Sequence, residues 1–185
     1  MHKPLGSFAQ FLLESEQTSF SYGCVMACMD FPPLIKNIHD GIDDEDIAHE
    51  AGGLEDNTHV TILYGLHDGV KPDAVKSCIS EIQKVKLKGL SVFECKDFDV
   101  LKFDVEAPGL IESNAKLRDT VPYTNKFTDY KPHVTVAYLK AGTGSKYASM
   151  WARQMMPTLP VTKIIYTTSG ESRGKGKSRQ TFKIA

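Results

Sequence analysis

The tripeptide His-Val-Thr occurs twice in this chain, at His59–Thr61 and again at His133–Thr135. Each copy opens a short apolar run, HVTILYG in the first and HVTVAYL in the second, which predicts a β-strand. Side chains alternate between the two faces of a strand, so each histidine lies beside its threonine while the valine between them faces the core. Two such pairs in one cleft predict a paired acid and base site.

The order of elements after each copy is also the same. An HVT strand leads through a turn into a helix, predicted at 73–84 and at 145–155, and then into a hairpin, which turns near 96–97 and at 169–178. The halves share little sequence beyond HVT, so the order of elements is the evidence for an internal duplication. We predict an α+β fold with two pseudo-symmetric lobes, whose antiparallel sheets surround a central cleft with the helices outside.

Length and charge limit the classes of partner. At 185 residues the chain forms one domain, which we place at 21–185, with 1–20 as an N-terminal helical extension. A net charge of -1 gives no overall attraction to long nucleic acids or anionic membranes. The N-terminus lacks a signal peptide and no apolar run is long enough to span a bilayer, so we expect a cytoplasmic protein with no membrane partner.

The paired imidazoles suit the cleavage of a phosphodiester bond. In-line displacement at phosphorus needs a base for the nucleophile and an acid for the departing oxygen, and imidazole titrates near neutral pH. The hydroxyls of Thr61 and Thr135 can donate to phosphate oxygens as charge develops there. His39 and His49 flank an acidic run, but their spacing fits no familiar ligand pattern, and we interpret them as a solvated helical face. No metal or cofactor is therefore expected.

The twin motifs resemble those of the 2H phosphoesterase superfamily, whose members carry two H-x-[ST] signatures on a bilobal fold and include RNA 2′,3′-cyclic phosphodiesterases. The stretches SYGCVMACM, GGLEDNTHVTILYGLHDG and KPHVTVAYL are more narrowly similar to phage anti-CBASS nucleases. This resemblance implies a metal-independent hydrolase that cuts 3′-5′ bonds of cyclic di- and trinucleotide immune messengers in the cytoplasm of an infected bacterium, so that a phage evades CBASS defence. Either His59 or His133 can be the first base.

Four further residues are expected to contact substrate. The resemblance suggests an aromatic hydroxyl near the site at Tyr22, although an ordinary strand-edge tyrosine fits the same pattern. Glu171, in SGESRGKGKS, can accept hydrogen bonds from the edge of a base, and Arg173 belongs to the basic patch of that loop. Lys131, in KPH, can flank the site. The loop at 169–179 is either a lid that attracts phosphates or a solvated loop without a role.

Two other functions fit the same residues. A related phosphodiesterase would act on 2′-5′ oligoadenylate or on RNA 2′,3′-cyclic ends, with the same chemistry and a different pocket. A protein of another class would bind cyclic nucleotides as a sponge without cutting them. The presence of both histidines and both threonines favours catalysis over storage.

Overall fold

The computed structural model of this chain describes residues 20–127, 129–168, 170–171 and 180–185. The strands in these residues are β1 (Phe20–Ser21), β2 (Gly23–Met29), β3 (His59–Leu66), β4 (Lys84–Glu94), β5 (Phe98–Glu106), β6 (His133–Lys140), β7 (Thr158–Thr167), β8 (Gly170–Glu171) and β9 (Thr181–Lys183). The α-helices are α1 (Pro33–Asp40), α2 (Pro72–Cys78), α3 (Pro108–Thr120) and α4 (Gly144–Met150). Two 3-10 turns, Asp44–Asp46 and His49–Ala51, lie between α1 and β3.

These elements form two series with the same order, β2-α1-β3-α2-β4 and β5-α3-β6-α4-β7. Counterparts begin at residues 23 and 98, 33 and 108, 59 and 133, 72 and 144, and 84 and 158, so their spacing stays between 72 and 75 residues. We call these series the first repeat and the second repeat. The regular spacing supports the predicted duplication and adds to it the strand and helix that precede each HVT motif.

The strands form two antiparallel lobes, as predicted. The main sheet has the order β2-β3-β6-β5-β4-β7-β9, and β7 also pairs with β2, so the sheet closes on itself. The start of β7 pairs with β4 and the rest of it pairs with β2 and β9. The first lobe therefore contains β3, β2, most of β7 and β9, and the second lobe contains β6, β5, β4 and the start of β7.

Each lobe contains strands from both repeats. The first repeat contributes β4 to the second lobe, and the second repeat contributes most of β7 to the first lobe. The helices cross in the same way, because α1 packs against β6 while α3 packs against β3. Neither repeat completes a lobe by itself, so the two HVT strands are held together by the whole chain.

The main core lies between the sheet and the helices, and Val60 and Val134 are fully buried in it. The two HVT strands and the hairpin between β4 and β5 lie where we predicted them. The helix predicted at 73–84 ends at Cys78, where the backbone becomes extended at Ile79, and the Gln83 carbonyl accepts a hydrogen bond from the Val161 N–H of β7. The helix predicted at 145–155 ends at Met150 in a series of turns.

Of the predicted N-terminal extension, Phe20 alone lies in the described part of the chain, where it forms β1 with Ser21. Residues 1–19, which include the predicted helix, lie outside it. In the portions that the structure describes, no helix has the length and apolar character that a bilayer crossing requires.

Candidate active site

The two HVT motifs lie side by side because β3 and β6 run antiparallel and their central valines, Val60 and Val134, form a cross-strand pair. One residue to either side of this pair, the antiparallel alignment places the histidine of each motif opposite the threonine of the other. Both valines face the core, so the histidines and threonines share the opposite face of the sheet. A pseudo-two-fold axis passes through the valine pair, and the two histidines are diagonal neighbours, about 7–8 Å apart.

The two imidazole rings are held by the same contact. Nδ1 of His59 lies 2.8 Å from the carbonyl oxygen of Asn57, and Nδ1 of His133 lies 2.8 Å from that of Lys131. A carbonyl oxygen only accepts, so each Nδ1 carries the proton and donates it. A neutral ring therefore keeps its lone pair on Nε2, where it can take a proton, and a charged ring can donate from the same atom.

The first half-site consists of His59 and Thr61 with their neighbours on β2. Cys28 lies opposite His59 and Met26 lies opposite Thr61. Burial raises the pKa of the Cys28 thiol, so this neighbour is uncharged at neutral pH. The two β2 neighbours of the first half-site therefore carry no charge, and Lys163 of β7 lies beyond them, opposite Cys28.

The second half-site consists of His133 and Thr135 with their neighbours on β5. Asp104 lies opposite His133 and Lys102 lies opposite Thr135. Two positions that hold a thiol and a thioether in the first half-site thus hold a carboxylate and an ammonium in the second. The pseudo-symmetry of the backbone does not extend to the charges.

Lys102 is almost completely buried, with 4 % of its surface exposed. Its ammonium donates hydrogen bonds to the Ser91 hydroxyl, at 2.8 Å, and to the Asp104 carboxylate. It also lies 4.2 Å from the centre of the Phe93 ring, which in turn meets the His133 ring edge to face at 5.1 Å. A buried ammonium is costly without such partners, so these contacts fix one charge beside the second histidine.

The surroundings of His133 favour its neutral form. Burial lowers its pKa to about 4, with help from the charges of Lys102 and His59. The hydrogen bond to the Lys131 carbonyl and the charge of Asp104 oppose this shift. Because its pKa lies well below neutrality, His133 is uncharged at pH 7 and its Nε2 is free of a proton.

Each HVT motif is followed by one extra residue that has no partner in the neighbouring strand of its own lobe. In β3 this residue is Ile62, since its two neighbours pair with consecutive residues of β2, and in β6 it is Val136 by the same criterion with β5. Such a bulge shifts the alternation of side chains by one. It brings Tyr64 and Tyr138, five residues after each histidine, to the face that carries the histidines.

The environments of these tyrosines agree with that placement. Tyr64 lines the same cavity as Thr61, and the Tyr138 hydroxyl forms a hydrogen bond with Thr135. Burial raises the pKa of Tyr138 to about 12. We did not predict either tyrosine as a site residue, although the shared pattern HVT-x-x-Tyr was a signal for them.

A cavity of about 350 Å³ opens between the lobes beside the second half-site. Its walls include the catalytic candidates Thr61 and His133, the cation Arg118, and three aromatic rings, those of Phe93, Phe127 and Tyr130. The Tyr130 hydroxyl donates to the Thr61 carbonyl at 3.0 Å, which ties the loop before β6 to β3. The cavity has the size and the mostly apolar lining of a small-ligand site.

The predicted substrate-binding residues are placed differently from one another. Lys131 is exposed and lines the cavity. Tyr22 packs against Tyr64 at 6.3 Å and His67 at 6.0 Å between ring centres, next to the first half-site. The backbone of Glu171 pairs with Phe20 in the small sheet of β1 and β8.

The side chain of Glu171 and all of Arg173 lie outside the described residues, as does most of the predicted 169–179 lid. His39, which we predicted to be solvated, is partly buried because its ring binds the carbonyl of Val136. Among the residues whose positions are described, no three His, Cys, Asp or Glu side chains lie close enough together to hold a metal ion.

Comparison with known proteins gives a fold and no sequence relative. No protein-family model and no curated protein matches the chain. Among solved structures it is similar to Kluyveromyces marxianus Usb1, with a TM-score of 0.53 and 10% identity over 89% of this chain and 98% of that one. E. coli LigT complexed with 3′-AMP has a TM-score of 0.53 and 14% identity over the same shares, 89% and 98%. A second Usb1 structure, with uridine monophosphate, has a TM-score of 0.51 and 9% identity, again over 89% and 98%. The chain thus has the α+β fold of these proteins.

Proposed function

We propose that this protein is a phosphodiesterase of the 2H type that cleaves 3′-5′ bonds of cyclic di- or trinucleotide messengers and needs no metal ion. The observation that carries this proposal is the pair of histidines on adjacent strands, each held through Nδ1 by the same backbone contact. Because Nδ1 is occupied in both rings, Nε2 of each histidine is available to a substrate in the cleft, beside a threonine of the other motif. An acid and a base on the two sides of phosphorus supply what in-line displacement requires.

In the first step His133 takes the proton from a ribose 2′-hydroxyl, and the oxygen attacks the adjacent phosphorus. The bond from phosphorus to the 5′-oxygen breaks, and His59 gives that oxygen its proton. The product is a linear nucleotide that ends in a 2′,3′-cyclic phosphate. Water can then open this ring with the two histidines in exchanged roles.

The charges around the second half-site support this assignment of roles. A base must be unprotonated before the reaction, and the pKa of His133 lies near 4 because of burial and the nearby Lys102 ammonium. The same ammonium faces Thr135, where it stabilises a negatively charged phosphoryl group together with the threonine hydroxyl.

A small nucleotide suits the cavity better than a long chain does. Its volume of about 350 Å³ and its aromatic walls fit one nucleotide unit at a time. We propose that Lys131 contacts a phosphate at the cavity rim and that Tyr22 supports the Tyr64 side of the cleft. Glu171 and Arg173 keep their proposed roles in binding the base and the phosphate.

The biological role that we propose is the destruction of bacterial immune messengers by a phage in the cytoplasm of its host. The stretches SYGCVMACM and GGLEDNTHVTILYGLHDG, which resemble phage anti-CBASS nucleases, support it. A second candidate is a phosphodiesterase on 2′-5′ oligoadenylate or RNA 2′,3′-cyclic ends. It is favoured by the shared fold with Usb1 and LigT, which hold uridine monophosphate and 3′-AMP in two of their structures.

One experiment separates these functions from each other and from a sponge. The protein is incubated with excess EDTA and, separately, 3′,3′-cyclic GMP–AMP, 2′-5′ oligoadenylate and RNA with a 2′,3′-cyclic end, and products are resolved by chromatography. We expect linear product from the cyclic dinucleotide. If only 2′-5′ oligoadenylate or the RNA end were turned over, the second candidate function would replace cleavage of cyclic messengers.

A histidine outside the cleft provides the control for substitutions of His59 and His133. His49 is exposed on the second 3-10 turn, and His49→Ala should keep the wild-type rate. Intact cyclic dinucleotide that remains tightly bound after long incubation would overturn the enzyme proposal in favour of a sponge.

A further inference from the structure

Two side chains at matching positions of the repeats contact the backbone of the two bulges. His39 is the seventh residue of α1, and Asn114 is the seventh residue of α3. The His39 ring nitrogen Nε2 lies 2.8 Å from the Val136 carbonyl oxygen. The side-chain amide of Asn114 donates to the Ile62 carbonyl oxygen at 2.6 Å. The contact is therefore duplicated together with the strands and the helices.

A physical need explains both contacts. A bulge leaves its extra residue unpaired in the ladder, and Ile62 and Val136 are fully buried, so water cannot satisfy their carbonyl groups. A carbonyl only accepts, which requires a proton on Nε2 of His39 and makes the amide of Asn114 the donor. An imidazole and an amide are different groups, but each supplies an N–H at the same place.

We propose that His39 and Asn114 are positioning residues, each of which holds the bulge that fixes the reactive threonine and tyrosine of one half-site on the cleft face. The proposal rests on the proposed function for its activity measurement. The support runs between the repeats, because His39 of the first repeat supports the motif of the second, and Asn114 of the second repeat supports the motif of the first.

The sensitivity of strand geometry makes this support important for catalysis. A shift of one residue in a strand turns each side chain to the other face, and a bulge is where such a shift begins. Loss of its donor would let the bulge relax and move the adjacent Thr61 or Thr135 hydroxyl. Displacement of a catalytic group by about 1 Å can lower the rate about a hundredfold.

The two sites differ in their remaining support, which sets the expected size of each effect. The Val136 carbonyl also accepts from the Glu55 backbone N–H at 3.0 Å, a loop contact that has no counterpart at the Ile62 carbonyl among the described residues. We expect Asn114→Leu to lower kcat about a hundredfold and also to change KM, because Asn114 lines the cavity. His39→Leu should lower kcat about tenfold with KM little changed.

The decisive test uses His39, because it is only partly buried and its variants should fold. His39→Gln keeps a side-chain N–H at similar reach and should recover most of the kcat that His39→Leu loses. Ile35→Val is the matched control, since it removes buried volume from the same helix and touches neither carbonyl. The thermal unfolding midpoint of each variant is also measured, so that a loss of rate can be distinguished from a loss of stability.

A second readout works without turnover. In a ¹⁵N-labelled protein we expect His39→Leu to shift the ring signals of His133 more than those of His59. Asn114→Leu should shift the ring signals of His59 more than those of His133. The inference would be overturned if His39→Leu kept the wild-type kcat, if His39→Gln rescued nothing, or if Ile35→Val lost as much. A wild-type protein inactive on every nucleotide would instead sink the proposed function, and the ring signals would still decide the positioning role.

Discussion

The first and second half-sites present the same two reactive side chains on the same backbone, yet their neighbours differ in charge. His59 has Cys28 beside it, whereas His133 has Asp104, and the ammonium of Lys102 lies opposite Thr135. A duplicated backbone thus places two imidazoles at equivalent positions, and burial together with the Lys102 ammonium lowers the pKa of one of them, His133, to about 4. The symmetry of the backbone supplies the two positions, and the difference between their surroundings is the basis on which we propose His133 as the base and His59 as the acid.

The largest effects should come from removing each imidazole in turn. His59→Ala and His133→Ala should each abolish measurable turnover, because loss of one proton carrier costs about a hundred- to ten-thousandfold and both act in the same step. Rates are measured by product chromatography at saturating substrate, with circular dichroism to show that each variant folds. A near-normal rate in either variant would mean that the paired mechanism is wrong.

The threonines test whether the half-sites bind phosphate equally. Thr61 lines the cavity, whereas Thr135 is buried and shares its hydroxyl with Tyr138. Thr61→Val should lower kcat about a hundred- to a thousandfold, the usual cost of one lost donor to a developing charge. Thr135→Val should cost less, since the ammonium of Lys102 remains beside the phosphate.

Serine variants provide the control for the threonines. Thr61→Ser and Thr135→Ser retain the hydroxyl and should keep most of the rate, with a small loss because serine is freer about χ1. Equal losses from the two valine variants would show that Lys102 does not compensate in the second half-site.

Alternation along the strands was enough to predict part of this site from sequence. It placed the histidines and threonines on one face and Val60 and Val134 in the core, because these preferences are local. Alternation failed beyond Ile62 and Val136, since a bulge inserts a residue without a mark in the local pattern. The two tyrosines were missed for that reason.

The other omissions come from pairing between distant parts of the chain. Lys102 lies within the strand segment FDVLKFDV, and only its register with β6 puts it opposite Thr135. The helix of His39 looked solvated because its target, the Val136 carbonyl, belongs to the other repeat. The exchange of strands between lobes also follows from long-range register, which one repeat considered by itself does not reveal.

The smallest expected change is a shift in the pH profile, and it concerns the charge that distinguishes the half-sites. Lys102→Met removes the ammonium and keeps an apolar side chain against Phe93. The charges that act on His133 are those of Lys102 and Asp104 on β5 and His59 on β3. The other titratable side chains that line the cavity with it are Tyr64 on β3, Glu94 on β4, Cys95 after it, Arg118 on α3, and Asp129, Tyr130 and Lys131 in the preceding loop. Burial, the largest cause of the shift, stays in place, so the pKa of His133 should rise from about 4 only part of the way toward its ordinary value.

The pH dependence of kcat/KM reads that change directly. A base loses activity as the pH falls through its pKa, so the acidic limb of Lys102→Met should lie at higher pH than that of the wild type. The variant should therefore lose up to about tenfold more activity at pH 5 than at pH 8, relative to the wild type. Lys88→Met, which removes an exposed lysine paired with Glu106, should leave the limb in place. An acidic limb that moves to lower pH, or that moves equally in both variants, would show that the ammonium of Lys102 does not set the protonation of His133.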